Sequence, residues 1–314
     1  MSNNHKNNKI TEIAVTSNYA TSSCEISNYP NSEPIQGSKK PEYNLIVPLF
    51  NFQANNNEPI IIDNNVKLIE TPNDLKDNQN DKSFSFQTKL IGSLDIKDNS
   101  LQQEARHKFD WAVILLKLFK EEMIWANKFR IVNISNSSIF STGQLNYYIW
   151  WWKNYYPKQY EINNDDVKLV QKFWNDFSGL DINFGVMRFH QGDYRPQLTD
   201  CLVDYVIALE YFLVPGGKSG DISYKFRTHG ALVLSQCNIS DTDPHNIYKN
   251  LKKAYDLRSD IVHGNIKTNY EDFSFVKTIR NYTREVIKYF HNNKITDREK
   301  YFKELILGKV KKVD

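Results

Sequence analysis

The sequence predicts an α+β protein, with a small N-terminal α+β domain followed by a C-terminal all-α helical bundle. Between about residues 41 and 90, short β-leaning runs alternate with Asn, Asp and Pro: Leu45-Ile46-Val47-Pro48-Leu49-Phe50, Ile60-Ile61-Ile62 and Ser83-Phe84-Ser85-Phe86-Gln87-Thr88. Beyond residue 161 helical periodicity runs almost without interruption. Residues 1–40 are rich in Asn, Ser, Lys and Pro and hold almost no apolar run, so a disordered leader is expected there. The expected organisation is a leader over 1–40, a sensing or regulatory α+β domain over 41–160, and a helical domain over 161–314.

Within the first domain, Leu101 to Phe119 has helical spacing and Ile124 to Ile131 returns to strand character. The aromatic segment Tyr147 to Tyr160, with Trp150-Trp151-Trp152, reads as core or interdomain packing in preference to a base-stacking platform. In the second domain, helices are expected from Asp165-Asp166 to Phe177, Leu198 to Val214, Asp221 to Cys237, Pro244 to His263, Asp272 to His291 and Asp297 to Leu307. Gly and Pro fall between them, at Gly179, Pro196, Pro215-Gly216-Gly217 and Gly264.

Composition excludes several classes. Three cysteines, Cys24, Cys201 and Cys237, without C-x-x-C spacing make neither a disulfide scaffold nor a zinc knuckle. The longest strongly apolar stretch, Phe109 to Phe119, is broken by Asp110 and Lys117, short of the roughly 18 unbroken residues of a membrane span. The first residues lack an apolar signal region, so a cytoplasmic protein without membrane association is expected. Gly216-Gly217-Lys218-Ser219 resembles the end of a phosphate-binding loop, but the Gly required five residues before Gly217 is Phe212. There is no H-x-x-x-H pair and no G-x-S-x-G elbow, and nothing local calls for a metal or cofactor.

Two inward charges stand out instead. On the helix from Leu198, the residues Leu202, Val203, Val206, Ile207, Leu209, Leu213 and Val214 fill one arc, with Asp200, Cys201, Asp204, Ala208 and Tyr211 opposite. Glu210 falls inside the apolar arc, where a carboxylate needs a cationic partner or a cleft. On the helix from Pro244, Arg258 projects from the arc formed by Ile247, Leu251, Ala254, Tyr255, Ile261 and Val262. His263 lies about 140° around an ideal helix from Arg258. The two converge only if the helix distorts near Gly264 or a second chain contributes.

The string Tyr255-Asp256-Leu257-Arg258-Ser259-Asp260-Ile261-Val262-His263-Gly264 resembles the signature of the ApeA-like branch of the HEPN superfamily, Arg-x4-6-His near the end of a long helix. Arg188-Phe189, Ala208-Leu209-Glu210 and Tyr224-Lys225-Phe226-Arg227 follow in the order and spacing of that family, so the resemblance spans roughly residues 185–290. It implies a HEPN-type bundle and a metal-independent endoribonuclease of prokaryotic anti-phage defence or toxin modules, acting on RNA as a homodimer and answering to an antitoxin or a phage-derived trigger. His263 would move protons and Arg258 would stabilise charge on the phosphorane, with Glu210, Arg227, Tyr255, Ser259 and Asp260 in support. Many active members carry Asn, Asp or His directly after the motif Arg, where this chain has Ser259 and then Asp260. The alternative is a non-catalytic HEPN protein that binds RNA, a nucleotide or a protein, with Arg258 the partner of Glu210 and His263 a helix cap.

The net charge of +3, from 40 Lys+Arg and 37 Asp+Glu over 314 residues, conceals an asymmetry. Residues 1–100 hold 9 basic and 12 acidic residues, while residues 245–314 hold 16 and 9. The cationic excess shares the last third of the chain with Arg258 and His263, as a polyanion-binding surface requires.

Overall fold

The computed structural model describes residues 42–54, 58–76, 83–91, 100–126, 128–135, 139–144, 158–216, 221–237, 239–240, 242–265 and 272–309. The expected leader, the Trp150-Trp151-Trp152 segment and Gly217-Lys218-Ser219 lie outside these residues.

The first half is built on an antiparallel sheet. Strand β1 (Glu42–Leu49) pairs over its whole length with β5 (Phe84–Ile91), and on its other side with β6 (Lys128–Asn133). Beyond β5 come β4 (Val66–Glu70) and β3 (Ile60–Ile61), and beyond β6 comes β7 (Ile139–Gln144), giving the order β3-β4-β5-β1-β6-β7. β1 is central and almost wholly buried, which is why its run from Leu45 to Leu49 does not alternate with polar residues. Two further strands, β2 (Phe52–Ala54) and β8 (Tyr160–Ile162), pair in parallel.

The strand expected over Ile124 to Ile131 is divided. Trp125 makes only an isolated bridge to Phe50, and β6 starts at Lys128. Pro48 supplies the reason. It lies in β1 between Ile46, which faces Arg130, and Phe50, which faces Trp125, and it has no N–H to donate there.

Helix α1 (Ser100–Phe119) and helix α2 (Asn164–Asp176) pack on the sheet, where Trp174 meets Trp111 edge-on at 4.8 Å and Phe86 at 5.8 Å. The capping box of Asn163 and Asp166 fixes the start of α2. The remaining helices are α3 (Phe184–Gly192), α4 (Leu198–Leu213), α5 (Ile222–Leu234), α6 (Pro244–Val262), α7 (Phe273–Asn292) and α8 (Arg298–Ile306). α4 is the hub, in contact with α3, α5, α6 and α7. Both its arcs are covered along most of their length: Cys201, Asp204 and Ala208, opposite the apolar arc, are as buried as Leu202 and Leu209, while Asp200 in its first turn is exposed. A continuous apolar core joins the sheet to the helices.

At the junction lies a buried charge network. Asp193, which caps α3, receives Arg280 of α7 through Nε to Oδ1 at 2.8 Å and Nη2 to Oδ2 at 3.1 Å. It also accepts the Tyr205 hydroxyl at 2.6 Å and faces the Lys117 ammonium of α1 at 3.2 Å. Lys117, Asp193 and Arg280 are at most 1% exposed. Burial alone would raise the Asp193 carboxyl, but Arg280 and Lys117 hold it well below the usual range. Burial lowers Lys117 to about 8 against the pull of Asp193. His190, beside Lys117, is likewise lowered by burial and by that cation.

Candidate active site

Glu210, Tyr255 and Arg258 gather on the seam between α4, α5 and α6. Asp243 opens α6 by accepting the His245 N–H, and Pro244 follows at a position where its missing N–H costs nothing. The helix then stays regular for 19 residues. Its end is a Schellman turn, with Gly264 donating to the Ile261 carbonyl at 3.1 Å and Asn265 to the Asp260 carbonyl at 2.8 Å. Gly264 takes φ +73°, the left-handed conformation this turn needs.

Glu210 of α4 and Arg258 of α6 do meet. Arg258 Nη2 lies 3.6 Å from Glu210 Oε2, with the side chains 27% and 21% exposed. This is an ion pair rather than a hydrogen bond, open enough to water that its energy is modest. Burial raises the Glu210 carboxyl, and Arg258 offsets only part of that rise. Tyr255, one turn before Arg258, is raised by burial and then by the Glu210 charge, and its ring packs on Phe226 of α5 at 5.6 Å. The Nε of Arg258 is buried with no hydrogen-bond partner among the described residues.

The other candidates are placed differently. His263 is the exposed C-cap of α6, and its ring makes no hydrogen bond or ion pair among the described residues. Its own N–H still donates to the Ser259 carbonyl at 3.0 Å. The helix therefore does not distort before Gly264, and no contact within the chain joins His263 to Arg258. Ser259 is half-buried. The exposed Asp260 carboxylate turns toward Asn265 Nδ2, at 3.5 Å. Arg227 projects from α5 between the rings of Tyr224 and Tyr248.

Sequence reasoning singled out Arg188 only through the family pattern; it pairs with Asp204 at 2.9 Å, and Arg195 shares that carboxylate at 2.5 Å. Asp204 lies about 9 Å along α4 and about 120° around it from Glu210, so these arginines form a separate cluster. Asp193 and Arg280 carried no sequence signal. Among the described residues no group of three His, Cys, Asp or Glu side chains is arranged to hold a metal ion. No described helix is long and apolar enough to cross a membrane.

The arrangement offers a half-exposed guanidinium at a helix seam and an exposed imidazole at the helix end, about 140° apart on α6. Together these are the groups that phosphodiester cleavage by an internal hydroxyl requires, but on one chain they point in different directions. Comparison of the chain with protein-family models, curated proteins and solved structures found no match.

Proposed function

We propose that the chain is a HEPN-type, metal-independent endoribonuclease of prokaryotic defence or toxin systems, cleaving RNA by attack of a 2′-hydroxyl. The observation that carries the reading is the accessibility of both motif groups: the Arg258 side chain is 27% exposed and paired only loosely with Glu210 at 3.6 Å, and His263 stands exposed at the helix end. Arg258 would neutralise charge on the phosphorane through its forked donors. His263, whose imidazole can both accept and donate a proton, would take the proton of the attacking 2′-hydroxyl and return it to the leaving 5′-oxygen. Because α6 is regular up to His263, the two would converge across a two-fold axis, with Arg258 of one protomer facing the partner's motif.

A second reading is a non-catalytic HEPN protein that binds RNA, a nucleotide or a protein. It is favoured by the pairing of Arg258 with Glu210 and by the lack of any contact between Arg258 and His263 within the chain.

Incubation of purified protein with total RNA in chelator separates the two. Cleavage is expected, falling at least about a hundredfold in both Arg258→Ala and His263→Ala. Unchanged cleavage in either variant overturns the site assignment, and no cleavage by the unaltered protein under any activating condition favours the second reading. Light scattering is expected to show a dimer; an active monomer would overturn the shared cleft.

A further inference from the structure

Arg227 is a cation without a counter-charge among the described residues. Arg188, Arg195, Arg258, Arg280 and Arg284 each have a carboxylate within ion-pair distance. Arg227 has none among the described residues; its guanidinium carbon lies 5.1 Å from the Tyr248 ring and 6.0 Å from the Tyr224 ring. Its Nε is buried and makes no hydrogen bond. The Tyr248 ring, with the Tyr224 ring at the limit of contact, restricts the group, so its remaining donors have less entropy to lose on meeting an anion. Tyr224 is 53% exposed, which leaves ring surface for a flat ligand.

The position relates simply to the motif. Tyr248 and Arg258 are ten residues apart on α6, about 15 Å along the axis. The Phe226–Tyr255 ring contact joins the α5 turn bearing Arg227 to the α6 turn preceding Arg258. The two positions also lie about 80° apart around α6, so a chain crossing from its α5 side toward its α4 side, where Arg258 pairs with Glu210, would meet first one guanidinium and then the other.

We propose that Arg227, held between Tyr224 and Tyr248, is a phosphate subsite for single-stranded RNA, engaging a phosphodiester a few nucleotides from the one at Arg258 while a neighbouring base stacks on Tyr224. This rests on the ribonuclease reading above and names how that site holds its substrate.

The test uses the full-length protein and a short fluorescent single-stranded 2′-O-methyl RNA, which keeps its phosphates but lacks the attacking hydroxyl. Arg227→Met retains the apolar stem between the rings and removes the charge. It is expected to weaken binding about tenfold and to reduce the log–log salt dependence by about 0.7, the value for one phosphate contact on a single strand. Tyr224→Ala is expected to weaken binding with the salt slope unchanged. An Arg227→Met protein with unaltered salt slope, whatever its thermal midpoint, overturns the subsite and leaves the ribonuclease reading standing. Failure of the unaltered protein to bind the probe also overturns the subsite, and cleavage of ordinary RNA by the same preparation then decides whether the ribonuclease reading falls with it.

Discussion

Two carboxylates on neighbouring elements of the helical half experience the same force with opposite results. Burial raises the pKa of both Asp193 and Glu210 as the largest single influence, yet Asp193 ends well below its ordinary value and Glu210 above. The difference is the number and quality of partners. Asp193 has Arg280 on both oxygens, Tyr205 at 2.6 Å and Lys117 at 3.2 Å, all out of water. Glu210 has one cation, 3.6 Å away and partly solvated. A carboxylate saturated with donors is committed to holding α1, α3, α4 and α7 together. One with a single loose partner leaves that partner available, which is what the Arg258 site needs if it is to accept a phosphate.

The contrast is tested most severely by removing each acid. Asp193→Ala leaves Lys117 and Arg280 facing each other in the core, and should cost about 3–5 kcal/mol of stability by urea unfolding. Glu210→Ala frees a guanidinium that already touches water, and should cost about 1 kcal/mol or less. Similar losses for the two variants would mean that the junction network constrains the fold no more than a surface pair does.

A smaller effect separates the members of the network itself. Lys117→Met removes a buried charge but leaves Asp193 with its two Arg280 bonds and the Tyr205 hydroxyl, so at neutral pH stability should be near unchanged or improved. The sign of the pH dependence follows from the lowered pKa. Between about 8 and the ordinary 10.5, the unfolded chain keeps a proton on Lys117 that the folded protein has released. The wild type should therefore gain stability relative to Lys117→Met as pH rises through that window, and show no relative change below it. Paired unfolding curves near pH 7 and pH 10 measure the difference; a constant gap would show that Lys117 is not held down by burial.

The local parts of this design were readable from sequence. Asp221, Asp243, Asp272 and Asp297 each cap the helix that follows, and helix starts were expected at or next to each of them because a cap acts within three residues. Glu210 and Arg258 were visible as charges within apolar arcs. Helix α3 was not read. Its nine residues include Gly185 and Gly192, which weaken the helical signal. Both are required by packing, since a Cβ at Gly185 would come within 2.6 Å of Tyr211 and Phe212, and one at Gly192 within 2.5 Å of Tyr205. Strand β8 depends on a partner distant in the chain, β2, whereas β4 and β7 pair with the neighbouring β3 and β6 but carry no strong apolar run of their own. Lys117 appeared only as an interruption of an apolar run, because the groups that accommodate it, Asp193 and Arg280, come from two other helices and carry no local pattern.

The smallest expected effect bears on the exposed site alone. Gly264→Ala meets no steric obstacle, as nothing lies within 4 Å of a Cβ placed there. Its cost is backbone only: alanine at φ +73° should lose about 1 kcal/mol, a few degrees in thermal midpoint. The chain can escape this cost by leaving the left-handed conformation, which breaks the bonds from Gly264 to Ile261 and from Asn265 to Asp260. His263 is the residue just before that turn, so cleavage should fall by more than the stability loss accounts for. Gly264→Asn, which tolerates the left-handed region better, should recover most of both. Equal cleavage by Gly264→Ala and wild type would mean that the Schellman turn does not set the position of His263. In the buried network no such separation is expected, because Asp193→Ala should lower stability and the proposed cleavage together, whereas a one-methyl change at the helix end should move the proposed cleavage while the core stays intact.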